Sequence, residues 1–316
     1  MKEIAAALET AIAADASRTE LAPAKINLAL HVTGRRPDGY HHIETLVVFA
    51  DFGDMVTTAP GADGRMGLSV KGQFAPPLAE AVPPADNLVV RAATELARAA
   101  GSRKLPGAKL VLTKRIPVAA GLGGGSADAA ATLCLLNREW GLRLGHDKLA
   151  EIGLRLGADV PMCIASRPLI ATGIGERLKP AHGIPAMPIV LAHPGGSLST
   201  ADVFARLARA DRTSLPEAPA RFRSLLDVIF WLRKARNDLE EPAIAASKTA
   251  GAAAKALRSD PECLFARMSG SGAAAFGIFT TMDAAERAAA RLQEAKPRWW
   301  VVPAMTGASP REGSQP

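Results

Sequence analysis

Four glycines in five positions, Gly121, Gly123, Gly124 and Gly125, stand in the segment Pro117-Val118-Ala119-Ala120-Gly121-Leu122-Gly123-Gly124-Gly125-Ser126-Ala127. Glycine reaches positive φ without steric cost and lets backbone N–H groups approach a ligand closely. The preceding Lys109–Arg115 reads as a strand and the following Ser126–Asn137, rich in Ala and Leu, as a helix. A helix entered from such a loop points unpaired N–H groups and its positive dipole end at it, so the chemistry is anion binding, with phosphate the usual occupant. Ser126 could cap the helix or bond a phosphate oxygen. No lysine follows the glycines, so this is not a Walker loop. Ser126 stands where a dinucleotide fingerprint needs its third glycine, and no acidic residue closes a strand about 20 residues on. Gly173-Ile174-Gly175-Glu176 and Ser269-Gly270-Ser271-Gly272 are weaker glycine motifs that read equally well as tight turns.

Two ionisable residues stand out for acid–base work. Lys25, in Ala22-Pro23-Ala24-Lys25-Ile26-Asn27-Leu28, opens an apolar strand whose pattern does not call for a lysine. From the local pattern alone an edge-strand lysine that discourages aggregation is the favoured reading. Asp159, in Leu156-Gly157-Ala158-Asp159-Val160-Pro161, follows a helix stop, where an aspartate bonding its own backbone is equally at home. Periodicity alone does not bring these two together. The adjacent His41 and His42 would point to opposite faces of a strand and so do not suit one metal ion. No His, Cys and Asp set has zinc spacing, and no Gly-x-Ser-x-Gly elbow is present.

The elements that must position these groups are legible in outline. Ile26, Leu28 and Leu30 alternate with polar or small residues as in a half-buried strand, and Glu44–Phe52 reads as another. Gly34–Gly39 and Pro60–Gly64 read as turns, and 74–86 as a proline-rich loop. Asn87–Ala100 is amphipathic, with Asp86 or Asn87 as N-cap and Gly101 as stop. Asp147–Leu156 reads as a helix ended by Gly157. Short strands follow over 169–203, then a loop, then helical segments to about 258. Ala273–Thr280 reads as a strand, Met282–Ala295 as a helix and Trp299–Pro303 as a last strand. No fixed-period repeat occurs. The expectation is an α+β chain divided into a helical extension at 1–20, a first domain at 21–170, a second at 171–305 and a flexible tail at 306–316.

Composition narrows the function classes. Of 316 residues, 48% are hydrophobic and 22% charged, as in an ordinary globular protein. No apolar run is long enough for a membrane helix. Glu3, Glu9 and Asp15 interrupt any signal-like core at the N-terminus. The three cysteines are odd in number and far apart, which suits a reducing cytoplasm. A net charge of +7 favours anionic partners, but aromatic residues are only 4%. Base stacking, and with it nucleic-acid binding, is disfavoured. The basic balance also suits an acidic membrane surface or phosphorylated metabolites.

Taken in order, these pieces resemble the GHMP kinase superfamily over about residues 21–305. Arg36-Pro37-Asp38-Gly39-Tyr40-His41, after the Lys25 segment, resembles the branch that acts on cytidine-diphosphate-linked methylerythritol. His193-Pro194-Gly195, Asn237-Asp238-Leu239-Glu240 and Met268-Ser269-Gly270-Ser271-Gly272 match further blocks. Ala119 and Ala120 stand where many members carry glycine, which stiffens the first half of the loop.

The resemblance implies a two-lobed α+β fold, with a ribosomal-protein-S5-domain-2-like first lobe that binds ATP and a ferredoxin-like α/β sandwich as second lobe. It implies a cytoplasmic kinase of the methylerythritol phosphate route to isoprenoid precursors, phosphorylating the 2-hydroxyl of the cytidylyl alcohol. Asp159 is then the general base and Lys25 its cationic neighbour. Residues 117–127 hold the ATP phosphates and Asn87 lies on the adenine side. Mg²⁺ is held mainly by phosphate oxygens, with no protein metal cage. Tyr40 stacks on the pyrimidine, His41 reads its edge, Asn27 lies near the erythritol, and Thr200 and Phe204 form a second wall. The chain is expected as a monomer or homodimer. Other superfamily kinases, a non-catalytic nucleotide-binding protein and an RNA-binding protein are the alternatives. They are disfavoured respectively by Pro37–His41, by retention of both Lys25 and Asp159, and by the sparse aromatics.

Overall fold

The computed structural model describes residues 18–61, 65–207 and 213–307. The extension expected at 1–20 lies outside these residues up to position 17, as do the tail from 308, the turn tip at 62–64 and positions 208–212. In chain order the elements are β1 (Thr19–Arg35), β2 (His41–Gly61), β3 (Met66–Lys71), α1 (Ala75–Ala81), α2 (Leu88–Ala99), β4 (Gly107–Thr113), α3 (Gly124–Glu139), α4 (His146–Leu156) and α5 (Val160–Ala165). There follow β5 (Leu169–Gly173), β6 (Arg177–Pro180), β7 (Pro188–His193), α6 (Thr200–Ala205), α7 (Leu225–Lys234), α8 (Glu240–Ala246), α9 (Ala252–Arg258), β8 (Phe265–Met268), β9 (Ala275–Ile278), α10 (Met282–Ala295) and β10 (Trp300–Met305). They form two compact units that interleave along the chain. One takes the chain up to Ala22, then Gly53–Arg115 and Gly125–Ile164. The other takes Pro23–Phe52, Ile116–Gly124 and the chain from Ala165 onward.

In the first unit the second half of β2 pairs antiparallel with β4, from Met55 opposite Thr113 to Gly61 opposite Gly107. β3 runs parallel to β4 on its other side. A β-carbon on Gly61 would lie 2.6 Å from the Ala108 nitrogen, so this end of the ladder admits only glycine. Asn87 caps α2, its Oδ1 accepting the Val89 N–H at 2.9 Å, and Val89, Ala92, Ala93 and Leu96 form the buried face. The stretch expected as loop at 74–86 contains α1 and a 3₁₀ turn at Pro84–Asp86. Pro76 and Pro77 do not break α1, because first-turn N–H groups have no intrahelical partner to lose.

The first unit also buries an ion cluster. The Lys114 ammonium lies between Asp54 and Asp128, with Asp128 Oδ2 at 2.8 Å, and all three side chains are at most 4% exposed. The Arg115 N–H donates to Asp54 Oδ1. One ammonium faces two carboxylates, so burial and the Asp54 charge push the Asp128 carboxyl up to about 7 against the pull of Lys114. Burial of this kind costs several kcal/mol per ion and is offset only while the partners stay in place.

In the second unit the first half of β2, Ile43–Val47, pairs antiparallel with β5, which continues to β6. β1 also pairs with β2. A separate four-stranded sheet has the order β10-β7-β9-β8, with every neighbour antiparallel. α9 and α10 cover it through Ala253, Ala254, Leu257, Ala285 and Ala288 against Val190, Ala192 and Phe279. Thr281 caps α10, its Oγ1 accepting the Ala284 N–H, at the expected helix start. The reading of Ala273–Thr280 as one strand shortens to Ala275–Ile278, preceded by the turn at 269–274. A second cluster joins Leu30 and Val32 of β1 to Leu198, Val203, Leu239 and Met268.

The Asp128 carboxyl has a stated pH consequence. Its pKa rises from about 3.8 to about 7 on folding, so its contribution to stability is complete below about pH 4 and lost as pH rises through 7. Asp128→Asn, which mimics the protonated form, should flatten that loss. Thermal melts from pH 5.5 to 8.5 should show the variant gaining on the parent as pH rises, by at most about 1.4 kcal/mol per pH unit. A parent that gains on Asp128→Asn with rising pH would contradict the assignment.

Candidate active site

The glycine loop and Lys25 meet within the second unit. Leu122 accepts the Lys25 N–H through its carbonyl at 2.9 Å. A β-carbon on Gly123 would lie 2.8 Å from Lys25 Cε and 3.0 Å from its Cβ, so the lysine stem runs directly over this glycine. Gly123 has φ +64° and Gly121 φ +79°. A β-carbon on Gly121 would fall 2.5 Å from the Ser269 carbonyl oxygen and 2.8 Å from the Gly272 nitrogen. The loop is thus enclosed by the Lys25 segment and by the 269–272 turn, and the Ala120 carbonyl accepts the Ala274 N–H at 2.9 Å. Ala119 holds φ +55°, a left-handed backbone that costs a non-glycine residue about 1 kcal/mol.

Lys25 is only 4% exposed and Asn27 3%. The Lys25 ammonium donates to Asn27 Oδ1 at 2.9 Å. Asn27 Nδ2 donates to Thr45 Oγ1 at 2.8 Å, and the Thr45 hydroxyl donates to the Ala29 carbonyl at 2.7 Å. The Asn27 N–H donates to Ser269 Oγ, whose hydroxyl donates to the Gly121 carbonyl at 3.0 Å. Buried polar groups need such partners, and the chain of bonds joins β1, β2, the glycine loop and the 269–272 turn. A buried ammonium held beside a backbone loop can stabilise negative charge that develops on a transferred group. An edge-strand role for Lys25 fits poorly with this burial.

The expected base-binding residues also lie in the second unit. Tyr40 is 62% exposed at the end of a turn closed by Arg36 N–H to Tyr40 C=O at 2.7 Å, with Gly39 at φ +92°. His41 does not face outward with it. Its ring stacks on Phe204 at 5.0 Å between centroids and 22° between planes. Burial, and then the Arg35 charge, lower the His41 pKa. Phe204 packs on the cluster of Leu30, Val32 and Leu198, and Thr200 Oγ1 shares a hydrogen bond with Ser271 Oγ at 2.9 Å. Phe204 therefore has an intramolecular ring partner, and Tyr40 is the ring offered to solvent.

The other expected residues belong to the first unit. The Asn87 oxygen caps α2, and Gly125, Ser126 and Ala127 form the first turn of α3. Ser126 is not the cap, because the helix begins at Gly124 and places its hydroxyl inside that turn. Asp159 stands at the entry to α5, its carbonyl accepting the Cys163 N–H at 3.1 Å. Thr45 and Ser269 were not singled out as site residues by sequence. The signal at Thr45 is a hydroxyl next to the apolar run Leu46–Ala50, and at Ser269 its place in the glycine turn and matched block Met268–Gly272. Among the described residues no group of three or more His, Cys, Asp or Glu could hold a metal ion. Among the same residues no helix is long and apolar enough to cross a membrane.

The models for the GHMP kinases N terminal domain and the GHMP kinases C terminal domain match residues 87–167 and 222–298. The 4-diphosphocytidyl-2-C-methyl-D-erythritol kinase of Mesorhizobium japonicum is 48% identical over 289 residues, covering 90% of this chain and 95% of that protein. The kinase of the same name from Cereibacter sphaeroides is 47% identical over 285 residues, covering 90% and 97%. A crystal structure of 4-(cytidine 5'-diphospho)-2C-methyl-D-erythritol kinase superposes with a TM-score of 0.73 at 34% identity, covering 92% of this chain and 100% of that one. Homoserine kinase from Cytophaga hutchinsonii, at 15% identity and a TM-score of 0.67, shares the fold; it covers 93% of this chain and 95% of its own. The chain belongs to the 4-diphosphocytidyl-2-C-methyl-D-erythritol kinase family of the GHMP kinases and is an ATP-dependent small-molecule kinase.

Proposed function

We propose that this kinase transfers the γ-phosphoryl group of ATP to the 2-hydroxyl of 4-diphosphocytidyl-2-C-methyl-D-erythritol, in non-mevalonate isoprenoid-precursor biosynthesis. The observation that carries the reading is the buried Lys25, its ammonium bonded to Asn27 and its stem lying over Gly123. Phosphoryl transfer needs little covalent help from the protein and much positioning and charge stabilisation. Backbone N–H groups of the glycine loop and of the first turn of α3 hold the ATP phosphates, and Asn87 serves the adenine side. Asp159 accepts the proton of the tertiary hydroxyl as it attacks, and Lys25 stabilises charge on the phosphoryl oxygens. Mg²⁺, when bound with ATP, neutralises phosphate charge. Phosphate oxygens and water would supply most of its ligands.

On the acceptor side, Tyr40 stacks on the cytosine, and its exposure leaves the ring free to do so. His41 reads the polar edge of the base from its place against Phe204, with Thr200 beside Ser271 on the same wall. Asn27 lies by the erythritol, although its carboxamide is already bonded to Lys25 and Thr45. The enzyme works in the cytoplasm as a monomer or homodimer, without nucleic acid or membrane.

ADP release with Mg-ATP and the cytidylyl alcohol, run beside homoserine and mevalonate, tests the reaction. Turnover is expected with the first alone, and turnover only with another alcohol would overturn the acceptor assignment. Asp159→Asn should lower kcat roughly 10²-fold or more. Lys25→Ala should lose kcat while circular dichroism stays that of the parent, and an unfolded Lys25→Ala would return that residue to a structural role. Tyr40→Ala should raise KM for the cytidylyl alcohol well above any change in KM for ATP, whereas equal changes would remove Tyr40 from base recognition.

A further inference from the structure

Thr45 is uncharged, fully buried and outside the motifs quoted above. Its hydroxyl nevertheless has two partners of opposite sense. It donates to the Ala29 carbonyl at 2.7 Å and accepts from Asn27 Nδ2 at 2.8 Å. A carbonyl only accepts, so the single hydroxyl hydrogen goes to Ala29 and the oxygen is left to accept. That fixes the sense of the Asn27 carboxamide: its nitrogen faces Thr45 and its oxygen faces the Lys25 ammonium at 2.9 Å. A flipped carboxamide would set an NH₂ group against the ammonium and an oxygen against the Thr45 lone pairs. Both contacts would be repulsive in a site where Lys25, Asn27 and Thr45 are all nearly inaccessible to water. Ser269 pins the Asn27 backbone N–H, so the residue cannot relieve a flip by shifting as a whole.

We propose that Thr45 is a positioning residue for phosphoryl transfer. Acting through the Asn27 carboxamide, it holds a carbonyl oxygen against the Lys25 ammonium and so fixes that charge over the glycine loop. The inference rests on the reading of Lys25 given above. It predicts a dependence that packing alone would not produce: Thr45 matters because the carboxamide of Asn27 has two unlike ends. A carboxylate has two like ends and needs no such orientation.

The test compares Thr45→Val, which keeps the shape and removes the hydroxyl, with Thr45→Ser, which keeps the hydroxyl. Each is made in the parent and in Asn27→Asp, with kcat expressed per ATP-binding protein so that unfolded material does not count. Thr45→Cys, whose thiol is a poor donor and acceptor, is carried alongside and read by the same criteria should Thr45→Val fail to fold. In the parent, Thr45→Val should lower kcat about tenfold or more with KM for ATP changed less than about twofold, the mark of lost positioning. Thr45→Ser should recover most of the loss. In the Asn27→Asp background, Thr45→Val should lower kcat less than about twofold further. An unchanged kcat in Thr45→Val, an equal loss in both backgrounds, or no recovery with Thr45→Ser would each overturn the proposal. Lys25→Ala, measured in the same series, separates the two readings. If it keeps its kcat, the role of Lys25 fails first. If it loses kcat while Thr45→Val does not, the positioning inference alone fails.

Discussion

Three segments converge in the second unit so closely that a β-carbon would strike backbone at one position and a lysine stem at another. Gly123 lies under the stem of Lys25, and Gly121 lies against Ser269 and Gly272. Close approach of this kind is what a phosphate cradle requires, since N–H groups reach a ligand only where nothing projects between them. The same approach brings the lysine to the loop without a flexible linker between them. Two backbone bonds keep those segments at that spacing, the Leu122 carbonyl accepting the Lys25 N–H and the Ala120 carbonyl accepting the Ala274 N–H.

Closeness alone would leave buried polar groups unpaired, and the structure answers this differently in its two units. In the second unit the Asn27 carboxamide accepts from the Lys25 ammonium, and two hydroxyls, each donating to a backbone carbonyl, hold Asn27 in turn. Each bond has a fixed direction, so the arrangement has one low-energy state. In the first unit Lys114 is paired with two carboxylates, a stronger but less balanced solution that leaves Asp128 holding its proton more tightly than an exposed aspartate would. The first solution gives orientation; the second gives attraction at the cost of sensitivity to pH.

Much of this was legible in the sequence because the signals are local. Asn87 and Gly101 mark the ends of α2, and Gly157 ends α4. Four glycines in five residues announced the loop. Misreadings arose where a local rule met a second one. Pro76 and Pro77 signal a break, yet they sit where a helix has no bond to lose. Ser126 has the chemistry of a cap, but the helix starts before it. The Asn27–Thr45 and Asn27–Ser269 bonds span 18 and 242 residues and carry no periodicity, so no window of sequence displays them. The His41–Phe204 stack is hidden for the same reason.

The chain passes between its two units at residues 22, 52, 115, 124 and 164, and β1 and β2 each run through such a passage. During synthesis neither unit is complete when its first strand leaves the ribosome. The four-stranded sheet waits for β10, which pairs with β7 across more than a hundred residues of chain. Loop-closure entropy must then be overcome before these distant contacts return any stability. A nascent chain stopped short of Trp300 would expose β7 along an unpaired edge, the kind of surface that recruits other strands. The four-stranded sheet thus depends on β10, the last strand among the described residues.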